Sequence, residues 1–296
     1  MIHSEAELRN VGRLRNSLKD SIFSSLLPRR LRRHFLVEVL IPDGLLRGGS
    51  LKSLFLAFLF AAAVAGCGGA KNEVQGDRGP RELYETGVKA YIDQKYNAAE
   101  ANFKALMENH PLSPYAVEAQ LMLGDVAYAM DNYDDASSYY TDFVALHPVH
   151  PMAPYALFQK GMSYFQEILS ADRDQTNTKK ALFVFQDFLV AYPESPYVVK
   201  SKELIGFLRR RLADREFYIA KYYFKGKNYK GALARLRNIL KDYPDVGLTD
   251  KTLYFVGVSY VELGEKRLAR ETLMDLISKF PNSPFVKDAR EKLEEV

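Results

Sequence analysis

Tryptophan is absent from this 296-residue chain and cysteine occurs once. A single thiol excludes an intramolecular disulfide framework and any cysteine-rich metal site. Glycine, at 18, and proline, at 13, are too scarce for a collagenous or low-complexity chain. No apolar run reaches the roughly 20 residues that a membrane-spanning helix needs. An excess of one charge is also missing. Lys and Arg total 41 against 37 Asp and Glu, and residues 1–66 hold 10 of the former and 5 of the latter. From Cys67 onward the net charge is therefore −1. With no basic excess to displace phosphate counterions, nucleic acid is not the expected partner. No HExxH, GxSxG, glycine-rich phosphate loop or paired-cysteine motif occurs, and only His110, His147 and His150 come after Cys67. Asp134-Asp135 and Glu294-Glu295 are adjacent in sequence and so diverge around a helix. The expectation is a chain without a catalytic site, metal or cofactor. Its remaining composition is ordinary for a folded protein: 47% apolar and 26% charged residues.

Residues Leu54 to Ala65 read LFLAFLFAAAVA, preceded by Arg47 and Lys52. The run has the proportions of a signal-peptide apolar region behind a positive flank. It leads into Val64-Ala65-Gly66-Cys67-Gly68-Gly69, which resembles a bacterial lipobox: small side chains enter a peptidase site, and the thiol accepts a diacylglycerol. The resemblance implies that Cys67 is lipidated and becomes the first residue of the processed chain. Gly68 is not the aspartate associated with retention at the inner membrane, so the outer membrane is expected. Residues 1–50, with the cluster Arg29-Arg30-Leu31-Arg32-Arg33, fit a signal peptide poorly. They read as an extension ahead of a start at Leu45, Leu46 or Leu51; an Arg-rich nucleic-acid arm is the alternative. The domains are then a leader with its extension at 1–66, a lipidated tether at 67–79 and a folded body at 80–296.

The body repeats. Pro111, Pro148, Pro193, Pro244 and Pro281 lie 37, 45, 51 and 37 residues apart, and twelve residues before each stands an alanine: Ala99, Ala136, Ala181, Ala232 and Ala269. Twelve before the alanine comes Gly87, Gly124, Ala220 or Gly257; Gly161 takes this place once eight extra residues are allowed. Small residues at these offsets permit two antiparallel helices to touch, Phe103, Tyr140 and Phe185 fill the space one turn on, and the proline ends the second helix. Ser113-Pro114, Ser195-Pro196 and Ser283-Pro284 supply a cap and a first helical residue for the next helix. The pattern resembles the tetratricopeptide repeat, with Leu83, Gln120, Leu157, Glu216 and Leu253 where tryptophan is usual. It predicts an all-α fold: an α-solenoid of five tetratricopeptide-type helix pairs with a C-terminal capping helix over 284–296. A hairpin insertion is expected near 167–178 and one very long helix near 196–225.

In such repeats the first helix of each pair lines the inner groove. Counting the Gly or Ala as position eight, positions five and twelve are Tyr84 and Tyr91, Leu121 and Tyr128, Phe158 and Phe165, Phe217 and Phe224, then Tyr254 and Val261. Tyr84, Tyr91, Tyr128, Phe158 and Phe165 are the candidate contacts for an extended, aromatic-bearing peptide. Clamping of a terminal carboxylate by Lys and Asn is not expected in the first repeat, where Tyr84 and Val88 stand. The run Arg209-Arg210-Arg211 reads as an ion-paired protein surface, and Arg209, Arg210, Lys221 and Arg235 are the candidates for partner docking.

Asp172-Arg173-Asp174-Gln175-Thr176 ahead of Lys180-Ala181, Phe207-Leu208-Arg209 through Leu212-Ala213, Ala220-Lys221-Tyr222-Tyr223, and Ala234-Arg235 leading to Asp242-Tyr243-Pro244-Asp245 resemble the BamD family of outer-membrane assembly lipoproteins. Val246 departs from the threonine or serine commoner there. The resemblance implies a non-enzymatic, lipid-anchored scaffold on the periplasmic face of the outer membrane, within the β-barrel assembly machinery. Its implied partners are a BamA-type barrel protein, through its POTRA domains, other outer-membrane assembly lipoproteins, and unfolded β-barrel proteins. Two other readings stay open on sequence alone: a periplasmic repeat adaptor of the Tol-Pal or peptidoglycan-coordination type, and a lipid-anchored muramidase using one glutamate.

Overall fold

The computed structural model describes residues 78–296. The leader, Cys67 and the tether up to residue 77 lie outside the described residues. Eleven helices are found among the described residues: α1 Pro80–Ile92, α2 Tyr96–Asn109, α3 Pro114–Ala129, α4 Tyr133–Leu146, α5 Ala153–Gln166, α6 Thr176–Ala191, α7 Val198–Lys225, α8 Tyr229–Asp242, α9 Thr249–Glu262, α10 Lys266–Lys279 and α11 Val286–Leu293. Each helix packs chiefly on its neighbours in sequence, with α1 also meeting α3 and α9 also meeting α11. The body is an all-α solenoid of five helix pairs closed by α11. Among the described residues no helix is long and apolar enough to cross a membrane.

The small residues explain the pairing. Ala99, Ala136, Ala181, Ala232 and Ala269 are fully buried. A Cβ added to Gly87, Gly124 or Gly161 would come within 2.7 Å of Phe103, Tyr140 or Phe185, and one at Gly257 would meet Leu273. The ring four residues past the alanine thus presses on the glycine of the preceding helix, where only a hydrogen leaves room for it. Each such ring is fully buried, a gain of roughly 1.5–3 kcal/mol per side chain before strain and ordering are counted. In the fourth repeat Ala220 replaces the glycine and the smaller Leu236 replaces the ring.

The turns inside four repeats share one ending. Gln94, Asp131, Lys227 and Gly264 adopt left-handed φ values of 59°, 62°, 58° and 74°. The next amide reaches back five residues, as in Lys95 N to Ala90 O and Asn132 N to Ala127 O, which satisfies carbonyls that the helix end leaves open. The missing tryptophan has a local account in the second repeat: Gln120 is buried and its Oε1 lies 3.2 Å from His147 Nε2.

Two features differ in detail from expectation. Ser113 Oγ accepts from Tyr115 N at 3.2 Å and Pro114 opens α3. After Ser195-Pro196 and Ser283-Pro284 the hydroxyls accept from Tyr197 N and Phe285 N in the same way, but the regular helices start two residues past the proline, at Val198 and Val286. The insertion is a loop at 167–175, not a hairpin. Gln175 is buried at its centre, donating from Nε2 to Ser170 O, Arg173 O and Asp174 O and accepting from Thr178 Oγ1. From α7, Arg215 Nη1 donates to Asp172 O at 2.8 Å and Ala171 O at 3.3 Å. One side chain therefore fastens the insertion to the long helix.

Candidate peptide groove and partner surface

Position five of the groove pattern is not open. Tyr84 is buried, 5.3 Å from the ring of Tyr115 and 6.1 Å from Phe103, and its hydroxyl donates to Glu118 Oε2. Phe158 is buried in a stack with Tyr197 at 4.7 Å. In the fifth repeat Tyr254 stacks on Phe285 at 5.3 Å. The covering residues Tyr115, Tyr197 and Phe285 each come directly after a Ser-Pro pair, so the motif that starts a repeat also delivers a ring onto position five of the repeat before it. Tyr84 and Phe158 are therefore corrected from peptide contacts to inter-repeat packing. The Ser-Pro-aromatic pattern is present in the sequence and is the signal that counting single repeats misses.

Position twelve is different. Tyr91, Tyr128 and Phe165 are half-buried. Tyr91 leans on Tyr96 at 5.7 Å, and Tyr128 sits edge-on to Tyr133 at 5.3 Å while accepting a hydrogen bond from Gln166 Nε2 at 2.7 Å. Phe165 meets Phe207 of α7 at 5.5 Å. Beside Tyr91 lies Asp125, whose Oδ1 accepts from the hydroxyls of both Tyr140 and Tyr155 at 2.7 Å. Burial, reinforced by Asp125, holds the Tyr91 hydroxyl above its usual range. Burial also pushes Tyr128 up to about 12, against the bond from Gln166. Tyr140 and Tyr155 are raised by burial first and Asp125 second. The first three repeats thus join through a phenol–carboxylate knot that keeps its tyrosines neutral. Sequence spacing places Asp125 next to the packing glycine at 124 but does not reveal this knot.

The basic candidates divide as well. Arg209 Nη2 donates to Asp245 Oδ1 at 2.5 Å and to Asp242 O at 3.1 Å, with its guanidinium over the Tyr243 ring. That hydrogen bond holds the Asp245 carboxyl below its usual range. Arg210 Nη1 donates to Val246 O and Gly247 O, and its Nε to Asp214. Arg209 and Arg210 clasp the loop between α8 and α9, whose carbonyls lie within reach of α7. Arg235 reaches Glu216 Oε2 at 3.4 Å. Lys221 is exposed, with no ion pair among the described residues. Charge is also split along the body. Residues 80–151 carry four Lys or Arg against eleven Asp or Glu, a net −7, whereas residues 152–296 carry 25 against 19, a net +6. Summing the whole chain after Cys67 hides this polarity; counting by repeat shows it.

Residues 76–274 match the model of the YfiO family, described as outer membrane lipoprotein. The chain is similar to the outer membrane protein assembly factor BamD of Caulobacter vibrioides, at 28% identity over 79% of this chain and 77% of that protein. It is similar to the protein of the same name from Neisseria meningitidis serogroup B, at 29% identity over 79% of this chain and 91% of that one. Among solved structures, a tetratricopeptide-repeat protein from Bacteroides fragilis covers 73% of this chain and 98% of its own, at 14% identity and a TM-score of 0.41.

Proposed function

The chain belongs to the YfiO family of outer-membrane lipoproteins, whose relatives are named BamD, and from that premise we propose that it is a lipid-anchored scaffold subunit of the β-barrel assembly machinery. The family match across most of the repeat body carries the reading. Cys67 holds the acyl anchor, and the body works at the periplasmic face of the outer membrane. It acts by gripping polypeptides, without catalysing a reaction. Unfolded barrel strands alternate apolar and polar residues and carry aromatic girdles; the half-buried rings of Tyr91, Tyr128 and Phe165 offer them flat apolar surface. The carboxy-terminal repeats dock the POTRA domains of a BamA-type subunit around Lys221 and Arg235, with Arg209 and Arg210 shaping the neighbouring loop. Other assembly lipoproteins complete the complex.

The test is affinity purification of the processed, membrane-extracted chain with mass spectrometry of the proteins that accompany it. A BamA-type barrel protein is expected. Recovery of Tol-Pal or peptidoglycan-synthesis proteins alone rejects the reading.

A further inference from the structure

In the first three repeats, the edge where one helix pair passes to the next differs from the edge opposite. α1, α3 and α5 begin at this edge and α2, α4 and α6 end there, so the chain also enters the body on that side. Arg78 O lies 3.0 Å from His110 Nε2, which seats the incoming chain beside the first connecting loop. The Tyr192 hydroxyl donates to Pro148 O at 3.3 Å and ties the second loop to the third. Leu112 is 98% exposed and Val149 96%, each directly after a repeat proline. Leu146, Val190 and Val199, at or beside helix ends on the same edge, are exposed as well. Among the described residues the opposite edge of these repeats exposes one large apolar side chain, Ile92. Single exposed apolar residues are ordinary, but five at one edge against one at the other make a surface. Residues 109–117 and 143–159, which include the first two loops, contain no Lys, Arg, Asp or Glu.

We propose that this edge lies against the lipid bilayer, with Leu112 and Val149 inserted below the headgroups. The proposal rests on the reading of Cys67 as the acyl anchor, and it assigns the face of the body that meets the lipid. Three observations select a lipid surface as the occupant. First, eleven residue steps separate Cys67 from Arg78, a span of at most about 40 Å. The anchored chain joins the body at this edge, while the turns at the far ends of the helices stand about 20 Å further on. Second, the exposed apolar side chains gather on the anchored side, where Leu112 and Val149 stand almost bare at the loop tips. Third, the two loops carry no carboxylate that lipid phosphates would repel or that insertion would strip of water. Their ionisable side chains are His110, His147 and His150, which are neutral or cationic. The net −7 of residues 80–151 sits outside these loops, and salt screens it beyond about 8 Å. In the third loop Glu194 takes the place that Leu112 and Val149 hold, so the contact runs along the first two.

The chain has no tryptophan, so one introduced at a chosen site reports its surroundings alone. Leu112→Trp, Val149→Trp and, at the opposite edge, Lys95→Trp are each made in the processed, lipidated full chain. All three side chains are exposed, so the variants keep the fold. Each is bound to vesicles of phosphatidylethanolamine and phosphatidylglycerol, with and without brominated acyl chains, which quench a ring only at close range. Emission from positions 112 and 149 should shift to the blue and fall with the brominated lipid, whereas emission from position 95 should not change. Flotation of the vesicles is scored alongside. A chain that floats without quenching at 112 and 149, or with equal quenching at 95, overturns the proposal and leaves the anchor standing. A chain that does not float removes the anchor reading and the proposal together.

Discussion

A methyl group on Gly124 has nowhere to go. Its carbon would stand 2.7 Å from the ring of Tyr140, which is fully buried and held by its bond to Asp125. Overpacking of this kind costs roughly 1–3 kcal/mol, against a helix-propensity gain of about 1 kcal/mol for alanine. Gly124→Ala should therefore lower the unfolding free energy by up to about 2 kcal/mol in a denaturant titration. Gly206 makes the contrast: it lies inside α7 with nothing within 4 Å of an added Cβ. Gly206→Ala should raise stability by roughly 0.5–1 kcal/mol, and a loss there would contradict the open environment. These two glycines also mark what a sequence reader can know. The small residues recur at fixed offsets, so their packing role is legible. The ring that presses on each glycine is harder to place, because its direction across a helix pair depends on how the two axes cross. Tyr84 and Phe158 look open from sequence for a related reason: the rings that cover them come from the next repeat, which a single-repeat template leaves out.

Among the elements, the long helix and the insertion it carries depend on one another. The extra spacing after Pro193 announces the helix, yet nothing in the sequence pairs Arg215 with carbonyls more than 40 residues earlier. Arg215→Ala removes two hydrogen bonds to Ala171 and Asp172, an effect of about 1 kcal/mol. The expected result is faster proteolytic cleavage within 167–175 while the melting temperature falls by only about 2–4 °C. Unchanged cleavage would show that Gln175 alone orders the loop. The tyrosines of α1, α3, α4 and α5 whose hydroxyls burial holds above their usual range set a second expectation. A tyrosine whose folded pKa is raised contributes stability that is fully present below the unfolded value near 10 and fades as pH climbs toward the folded value. For Tyr128 that window runs from about 10 to about 12. Above neutral pH this tyrosine contribution should stay constant up to about pH 10 and then decline, and Tyr128→Phe should make the decline shallower.

Across the whole molecule, the repeat count and fold class can be read from five prolines and five alanines. The charge polarity is equally available to counting but disappears in a total. Nearest-neighbour packing limits how far damage travels. Removing residues 285–296 uncovers Tyr254, Leu253 and Leu276, which pack against Phe285 and α11. The loss should be on the order of 3 kcal/mol for the last pair, by the area these side chains expose. Hydrogen exchange should then accelerate in α9 and α10 and stay unchanged in α1 to α4; uniform acceleration would mean that the solenoid unfolds as one block. The same serial packing governs how the body responds to load. Tension applied at its two ends passes through every helix interface in turn, so the body stretches like a spring, sharing strain along its length, and gives way first at its weakest seam.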